Sequence, residues 1–177
     1  MNLQTRKTPR LLKLVLRPED FISLARHDLS QNDSNPSQLA LRRALSTTYY
    51  AMFHTLAKTG ADLLVGETGV ACDRHAWRQT YRGLEHGQAK SACRKTSMKE
   101  RFPPSIQEFG NFFVKMQGVR HSADYDPYAE FEEPLTKFFV DRYISHAEQI
   151  IRDFNATHEK DRKAFAVYVL FKTRDFG

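Results

Sequence analysis

The chain has 177 residues, of which 41% are hydrophobic, and it carries 27 Lys and Arg against 21 Asp and Glu, a net charge of +6. This length and composition are those of one globular domain, residues 1–177, with a core that needs no metal or disulfide. No apolar run is long enough to span a bilayer, so the composition excludes a membrane protein.

The chain begins with a predicted N-terminal arm, residues 1–17, before a bundle core at about residues 18–156. Lys13 and Arg17 interrupt the apolar residues of the arm, and no small-residue cleavage site follows. We therefore expect no export signal and a cytoplasmic location. Cys72 and Cys93 lack the spacing of a disulfide framework or a zinc site, so we expect reduced thiols, no metal and no cofactor.

Two helices are predicted in the first third of the chain. The first covers residues 18–30, with Pro18 at its first position and acidic residues in its first turn. The second begins at a cap on Asn35, with Pro36 as its first residue, and ends near Gly60. Apolar residues recur along it at helical spacing. The following residues, 61–73, are predicted to be a connection.

Three further helices are predicted in the rest of the chain. Asp73 caps a third helix that ends near His86, and a basic loop then leads to Pro103. A fourth covers about residues 105–125, because Pro127 disfavours helical geometry at the preceding residue. A fifth runs from about residue 134. The last segment, residues 163–173, fits a short helix or a short strand. The predicted fold class is all-α, a bundle of four to five helices with an ambiguous short C-terminal element.

Charge is distributed unevenly along the chain. Residues 74–101 contain eight basic and two acidic residues, whereas residues 121–161 contain ten acidic and four basic residues. The basic segment is either a solvated helix face or an anion-binding surface. The second interpretation predicts that RNA is bound by Arg74, Arg78, Arg82, Lys90, Arg94 and Lys95. The first three lie four residues apart and would form one stripe on a helix.

Arg120 lies on the apolar stripe of the predicted fourth helix, four residues after Met116. A guanidinium on a packed face needs a carboxylate, phosphate or carbonyl partner. Asp124, one turn later, is the local candidate. Arg120 and Asp124 are therefore either a structural ion pair, or part of a cleft in which Arg120, His121 and Tyr125 hold a phosphate.

Other polar and aromatic residues on the predicted helices have structural interpretations. Tyr49 and Tyr50 fit a core or a dimer seam, because aromatic stripes on bundle helices usually pack. His54 fits a packing histidine. His86, beside Gly87, fits the C-terminal end of a helix, where the helix dipole favours a positive charge.

Two segments resemble a known family. RRALSTTYYAMFHTL, in the second helix, is similar to a helix of HEPN-domain proteins, and RHSADYDP, at the end of the fourth, is similar to a segment of one bacterial branch of that superfamily. The resemblance covers about residues 39–154. It implies a bundle of four or five helices that forms a homodimer with a composite groove between the motif helices.

The resemblance also implies a function. Many HEPN proteins are metal-independent ribonucleases, toxins of toxin–antitoxin pairs or parts of phage-defence systems. Active members have an Arg with a polar residue directly after it, and a His that follows the Arg after four to six intervening residues. Arg120 and His121 match the first two, which makes Arg120, His121 and Tyr125 the candidate catalytic residues. The motif His is absent, because Tyr125 and Asp126 occupy its place.

Three functions follow as alternatives. The first is an RNA-directed protein, either an endoribonuclease or a degenerate member that binds RNA without cutting it. The second is a non-enzymatic dimeric module, accessory or antitoxin-like, that recognises a cognate protein partner, as the missing His would allow. The third follows from HEPN toxins that an antitoxin silences by nucleotidyl transfer to a tyrosine, for which Tyr125 and Tyr128 are candidates.

Overall fold

Seven helices and no strand make up the described parts of the chain, residues 16–30, 35–67, 72–96 and 100–172 of a computed structural model. The helices are α1 (Pro18–Ser30), α2 (Gln38–Val65), α3 (Arg74–Arg82), α4 (His86–Arg94), α5 (Pro104–Tyr125), α6 (Lys137–Ala156) and α7 (Glu159–Leu170). The predicted all-α class is confirmed for these residues. Most of the predicted N-terminal arm, residues 1–15, lies outside them.

Helix α2 is the central element, and α1, α3, α5, α6 and α7 all pack against it. Tyr49, Met52 and Leu56 are buried along its length. They meet Phe109 and Phe113 of α5 in a single apolar core to which α6 and α7 also contribute. The two longest helices, α2 and α5, therefore lie side by side, as the sequence predicts for the helices that carry the two motif segments.

Both predicted ends of α2 were wrong. The cap is Ser37, whose hydroxyl accepts a hydrogen bond from the Ala40 amide, and the predicted cap Asn35 is exposed two residues earlier. At the other end Gly60 is buried inside the helix, facing Leu170 of α7. The helix ends at Val65, and the next residue, Gly66, has a φ of 115°, a conformation that glycine adopts without strain.

The predicted basic loop after α3 is partly a helix. Asp73 caps α3 as predicted, but α3 ends at Arg82, before Gly83, and α4 begins at His86. Ala89, Ala92 and Cys93 form the buried side of α4 against α5 and α7. These small side chains allow close packing but give a weak hydrophobic pattern among basic residues, so the sequence does not reveal the helix. The chain thus has more helices than the four to five predicted.

The later helices agree better with the sequence. Helix α5 begins one residue before its predicted start and ends at Tyr125 as predicted. Helix α6 begins at Lys137, three residues late, where the Thr136 hydroxyl accepts a hydrogen bond from the Phe139 amide. The ambiguous C-terminal element is helix α7, which starts at Glu159 and buries Phe165.

Candidate active site around Arg120

Arg120 projects from the last two turns of α5 with 16% of its side chain exposed. Its Nε donates a hydrogen bond to Asp124 Oδ2 at 2.8 Å, and its Nη2 donates one to the Tyr125 hydroxyl at 3.2 Å. The predicted pairing of Arg120 with Asp124 is therefore confirmed. A charge this far from solvent interacts more strongly with neighbours than a surface charge does.

Asp124 is held from α2 as well. The Ser46 hydroxyl donates a hydrogen bond to Asp124 Oδ2 at 3.2 Å, so one carboxylate oxygen joins Arg120 to α2. This contact fixes the carboxylate, which in turn restricts the Arg120 guanidinium.

Three tyrosine rings surround the guanidinium of Arg120. The distance from Cζ to the ring centroid is 5.4 Å for Tyr50, 5.5 Å for Tyr125 and 5.8 Å for Tyr49. These are cation–π distances. Tyr49 is fully buried, whereas Tyr50 is half-buried and 64% of Tyr125 is exposed. Tyr50 and Tyr125 therefore flank the charge on the side that solvent reaches.

His86 lies beside this cluster, a position that the sequence did not predict. It is the first residue of α4, not the C-terminal residue of α3 that the sequence predicted. Its Nδ1 lies 2.6 Å from the Tyr49 hydroxyl, and its ring stacks on Phe53 with centroids 4.0 Å apart. Gln117 of α5 donates a hydrogen bond to the His86 carbonyl at 3.2 Å, which fixes the start of α4 against α5.

The surroundings of His86 favour its neutral form. Burial, and then the positive charge of Arg120, lower the pKa of His86 below its ordinary value of 6.5. Burial also raises the pKa of Tyr49 well above its usual range, so the Tyr49 hydroxyl stays protonated. The pair therefore consists of an uncharged phenol and an imidazole whose burial and proximity to Arg120 favour the neutral form.

His54 forms a second pair of the same kind. Its Nδ1 lies 2.6 Å from the hydroxyl of Tyr81 on α3, and its ring stacks on Phe21 of α1 with centroids 4.5 Å apart. Burial, and then the neighbouring His86, lower the pKa of His54, whereas burial raises the pKa of Tyr81 to about 12. The packing role that the sequence indicates for His54 is present, but the residue also lies within electrostatic reach of His86.

His121 and Tyr125 occupy different places. Tyr125 contacts Arg120, as the candidate site requires. His121 is exposed, and its ring packs against Tyr125 with centroids 5.3 Å apart. Since successive residues are about 100° apart round a helix, His121 points away from the side of α5 that faces α2. The structure brings Tyr125 to Arg120 and leaves His121 on the outer face.

Most of the predicted RNA-binding residues are exposed. Arg74, Arg78 and Arg82 form one stripe on α3, as the spacing predicts, while Trp77 and Tyr81 occupy its inner face. Arg94 and Lys95, at the end of α4, are exposed, and Lys90 is half-buried. The basic stripe therefore covers the outer side of the helix that supplies the tyrosine partner of His54.

Arg42 fixes the end of α5 against the start of α2. Its Nη1 donates hydrogen bonds to the carbonyls of Asp126 at 2.6 Å and Ala123 at 3.4 Å. The last carbonyls of a helix lack partners within it, and a guanidinium satisfies several at once. Arg42 thereby positions the helical turn that carries Asp124 and Tyr125.

The two histidines of the site had no clear sequence signal. His54 lies four residues after Tyr50 on α2, and this spacing places both on one face of the helix. His86 reaches the cluster because α4 turns back against α5, which the sequence did not indicate. No group of three or more side chains suited to a metal ion occurs within the described ranges.

The described helices include none with the length and apolarity needed to cross a membrane. Comparisons of the chain with protein-family models, with curated proteins and with solved structures found no match. The geometry of the Arg120 cluster and the resemblance of the two motif segments therefore carry the functional argument.

Proposed function

We propose that the protein is an RNA-directed HEPN-type protein that binds a phosphate of single-stranded RNA at Arg120 and cuts the chain without a metal ion. One observation carries this proposal. The Arg120 side chain lies between α2 and α5 with 16% of it exposed, and its guanidinium is surrounded by three tyrosine rings, in addition to its pairing with Asp124. A structural ion pair does not require this setting.

The cluster suits a phosphate with an attached base. A guanidinium presents a planar set of donors that matches phosphate oxygens. Tyr50 and Tyr125 offer ring faces on which a base can stack, an interaction worth about 1–3 kcal/mol per base. Arg120 would position the phosphate, and the tyrosines would select an unpaired strand, because paired bases are already stacked.

The basic stripe on α3 would guide the RNA backbone to the site. Arg74, Arg78 and Arg82 are exposed on the outer face of α3, whose inner residue Tyr81 reaches the cluster through His54. Charged contacts of this kind attract RNA without regard to sequence. RNA affinity should then fall as salt rises, and each stripe arginine replaced by alanine should reduce the slope of log K against log salt by about 0.7.

A homodimer and a cytoplasmic location belong to the same proposal. They rest on the resemblance to HEPN proteins that act on RNA. In a dimer of this type the groove at the Arg120 cluster would be completed by the same residues of the second copy.

The exposed apolar residues favour the second function, a non-enzymatic module that binds a cognate protein. Tyr125, Tyr128 and Phe138 are 64%, 89% and 71% exposed, and Leu39 is 68% exposed. They lie at the start of α2, at and just after the end of α5, and at the start of α6. Exposed apolar surface is a property of sites of protein association.

The two functions separate in one experiment. Purified protein is incubated with total RNA in EDTA, beside the Arg120→Ala variant and an Arg142→Ala control. Arg142 is also paired with a carboxylate, Glu133, but lies on the surface of α6 with 53% of its side chain exposed. We expect cleavage by the wild type and the control and none by Arg120→Ala. Intact RNA in all three reactions favours the non-enzymatic module.

A further inference from the structure

We propose that His86 and His54 are the proton-transfer groups of the Arg120 site, one removing the proton of a ribose 2′-hydroxyl and the other protonating the departing 5′-oxygen. This inference rests on the proposed function and deepens it. It assigns acid–base chemistry to residues on α2 and α4, outside the motif segment at the end of α5.

His54, His86 and Arg120 all lie near the ring of Tyr50. The centroid of that ring lies 6.2 Å from the His54 ring, 6.4 Å from the His86 ring and 5.4 Å from Arg120 Cζ. The two imidazoles and the guanidinium therefore surround one half-buried aromatic surface. A phosphodiester held by Arg120 at the edge of this ring would have an imidazole within reach on two sides.

Each imidazole is oriented by a tyrosine. Nδ1 of His86 lies 2.6 Å from the Tyr49 hydroxyl, and Nδ1 of His54 lies 2.6 Å from the Tyr81 hydroxyl. Within the described part of the chain, neither Nε2 has a hydrogen-bond partner. Fixing one ring nitrogen determines the orientation of the ring and leaves the other nitrogen for proton transfer.

The reaction balances without a metal or a redox partner. In the tautomer in which Nδ1–H donates to the tyrosine oxygen, Nε2 of a neutral imidazole is unprotonated. It accepts the 2′-hydroxyl proton while the 2′-oxygen forms a bond to phosphorus. The P–O5′ bond breaks, and the 5′-oxygen takes a proton from the second, protonated imidazole. The products are a 2′,3′-cyclic phosphate and a 5′-hydroxyl, and one proton has moved from one histidine to the other overall.

The charges that face the pair set its pH dependence. Arg120 of α5 faces His86, and His86 in turn faces His54; α1 contributes the uncharged ring of Phe21. Among the described residues, the tyrosines Tyr49, Tyr50 and Tyr81 also contact the pair, and the Asp124 carboxylate is paired with Arg120. With positive neighbours and burial, both imidazoles protonate below the ordinary value of 6.5, so the optimum of kcat/KM should lie on the acidic side of pH 6.5.

A purely structural role is the competing explanation, because the two tyrosine–histidine contacts also join α3 and α4 to α2. That role predicts lower stability in variants, but no change in the pH dependence of the remaining activity. The shape of the pH–rate profile therefore distinguishes the two roles.

The test uses the 177-residue chain with His86→Gln, His54→Gln, Arg120→Ala and, as a matched control, His146→Gln. His146 also stacks on an aromatic ring, that of Phe112, but it lies on α6 with 54% of its side chain exposed. Cleavage of an RNA oligonucleotide in EDTA is followed across pH. Binding is measured with a 2′-O-methyl oligonucleotide of the same sequence, which lacks the attacking hydroxyl.

We expect each histidine variant to bind the 2′-O-methyl oligonucleotide like the wild type, to cut about 10²- to 10⁴-fold more slowly, and to lose one limb of the pH–rate profile. Arg120→Ala should lose binding, and His146→Gln should lose nothing. Arg120-dependent cleavage that persists with an unchanged pH profile in both histidine variants overturns this inference but leaves the proposed function intact. Wild-type protein that never cuts RNA overturns both.

Discussion

The guanidinium of Arg120 lies over the ring of Tyr50, with 5.4 Å between Cζ and the ring centroid. The two residues come from α5 and α2, and they belong to the two motif segments of the sequence. Their contact places the charge of one segment against the aromatic surface of the other.

The ring of Tyr50, and not its hydroxyl, should matter for this contact. Tyr50→Phe keeps the ring face, so RNA affinity and stability should change by less than about 0.5 kcal/mol. Tyr50→Leu removes the ring and should weaken RNA binding by about 0.5–2 kcal/mol. Filter binding at fixed salt measures both variants. Equal losses in the two variants would mean that the hydroxyl carries the interaction.

Arg42 should be a positioning residue for the whole cluster. Arg42→Ala leaves the Asp126 and Ala123 carbonyls without this donor, so we expect a loss of about 1–3 kcal/mol in unfolding free energy. Arg43→Ala is the control, because Arg43 is 65% exposed and lies 4.0 Å from Asp28. It should change stability by less than about 1 kcal/mol. Urea unfolding measures both, and a control as destabilised as Arg42→Ala would contradict the assignment.

Two helical glycines should respond differently to alanine. A Cβ at Gly118 on α5 meets nothing within 4 Å, so Gly118→Ala should stabilise the protein by about 0.5–1 kcal/mol through helix propensity. A Cβ at Gly60 on α2 would lie 2.7 Å from Leu170 Cδ1. Gly60→Ala should therefore gain less than Gly118→Ala, since α7 must adjust. Urea midpoints compare the two, and a larger gain at Gly60 would refute the close approach of α7.

The lowered pKa values of His54 and His86 predict how stability depends on pH. The unfolded chain protonates these imidazoles near pH 6.5, whereas the folded protein protonates them at lower pH. Their contribution to stability is therefore complete above pH 6.5 and is lost as the pH falls toward their folded-state pKa values. Urea unfolding of the wild type and of the His54→Gln, His86→Gln double variant, at about pH 8 and about pH 5, measures this difference. Wild-type protein should lose more stability than the double variant, and equal losses would contradict burial of the imidazoles.

The sequence predicts the helices that have strong local signals. Pro18 and the acidic first turn of α1, the Asp73 cap and the Pro127 that follows α5 all act within a few residues. The pairing of Arg120 with Asp124 is equally local, since one turn of helix joins them. These features appear in the structure as predicted.

The missed features depend on tertiary contacts. Gly60 resembles a helix end in isolation, yet it remains helical because α7 packs closely on that position. The histidine partners of Tyr49 and Tyr81 come from helices more than twenty residues away in sequence. Helix α4 packs through the small residues Ala89, Ala92 and Cys93, which become buried only when α5 and α7 cover them.

One continuous helix, α2, carries Ser46, Tyr49, Tyr50, Phe53 and His54 within three turns. Inserting or deleting a single residue inside this stretch would rotate the side chains that follow it by about 100° round the helix axis. Ser46 and His54 would then no longer both face the site. Residues 126–136, which connect α5 to α6, are not part of a helix, so a change in their number rotates no helix face. Length variation among natural or engineered descendants of this chain should therefore accumulate there and be absent from the middle of α2.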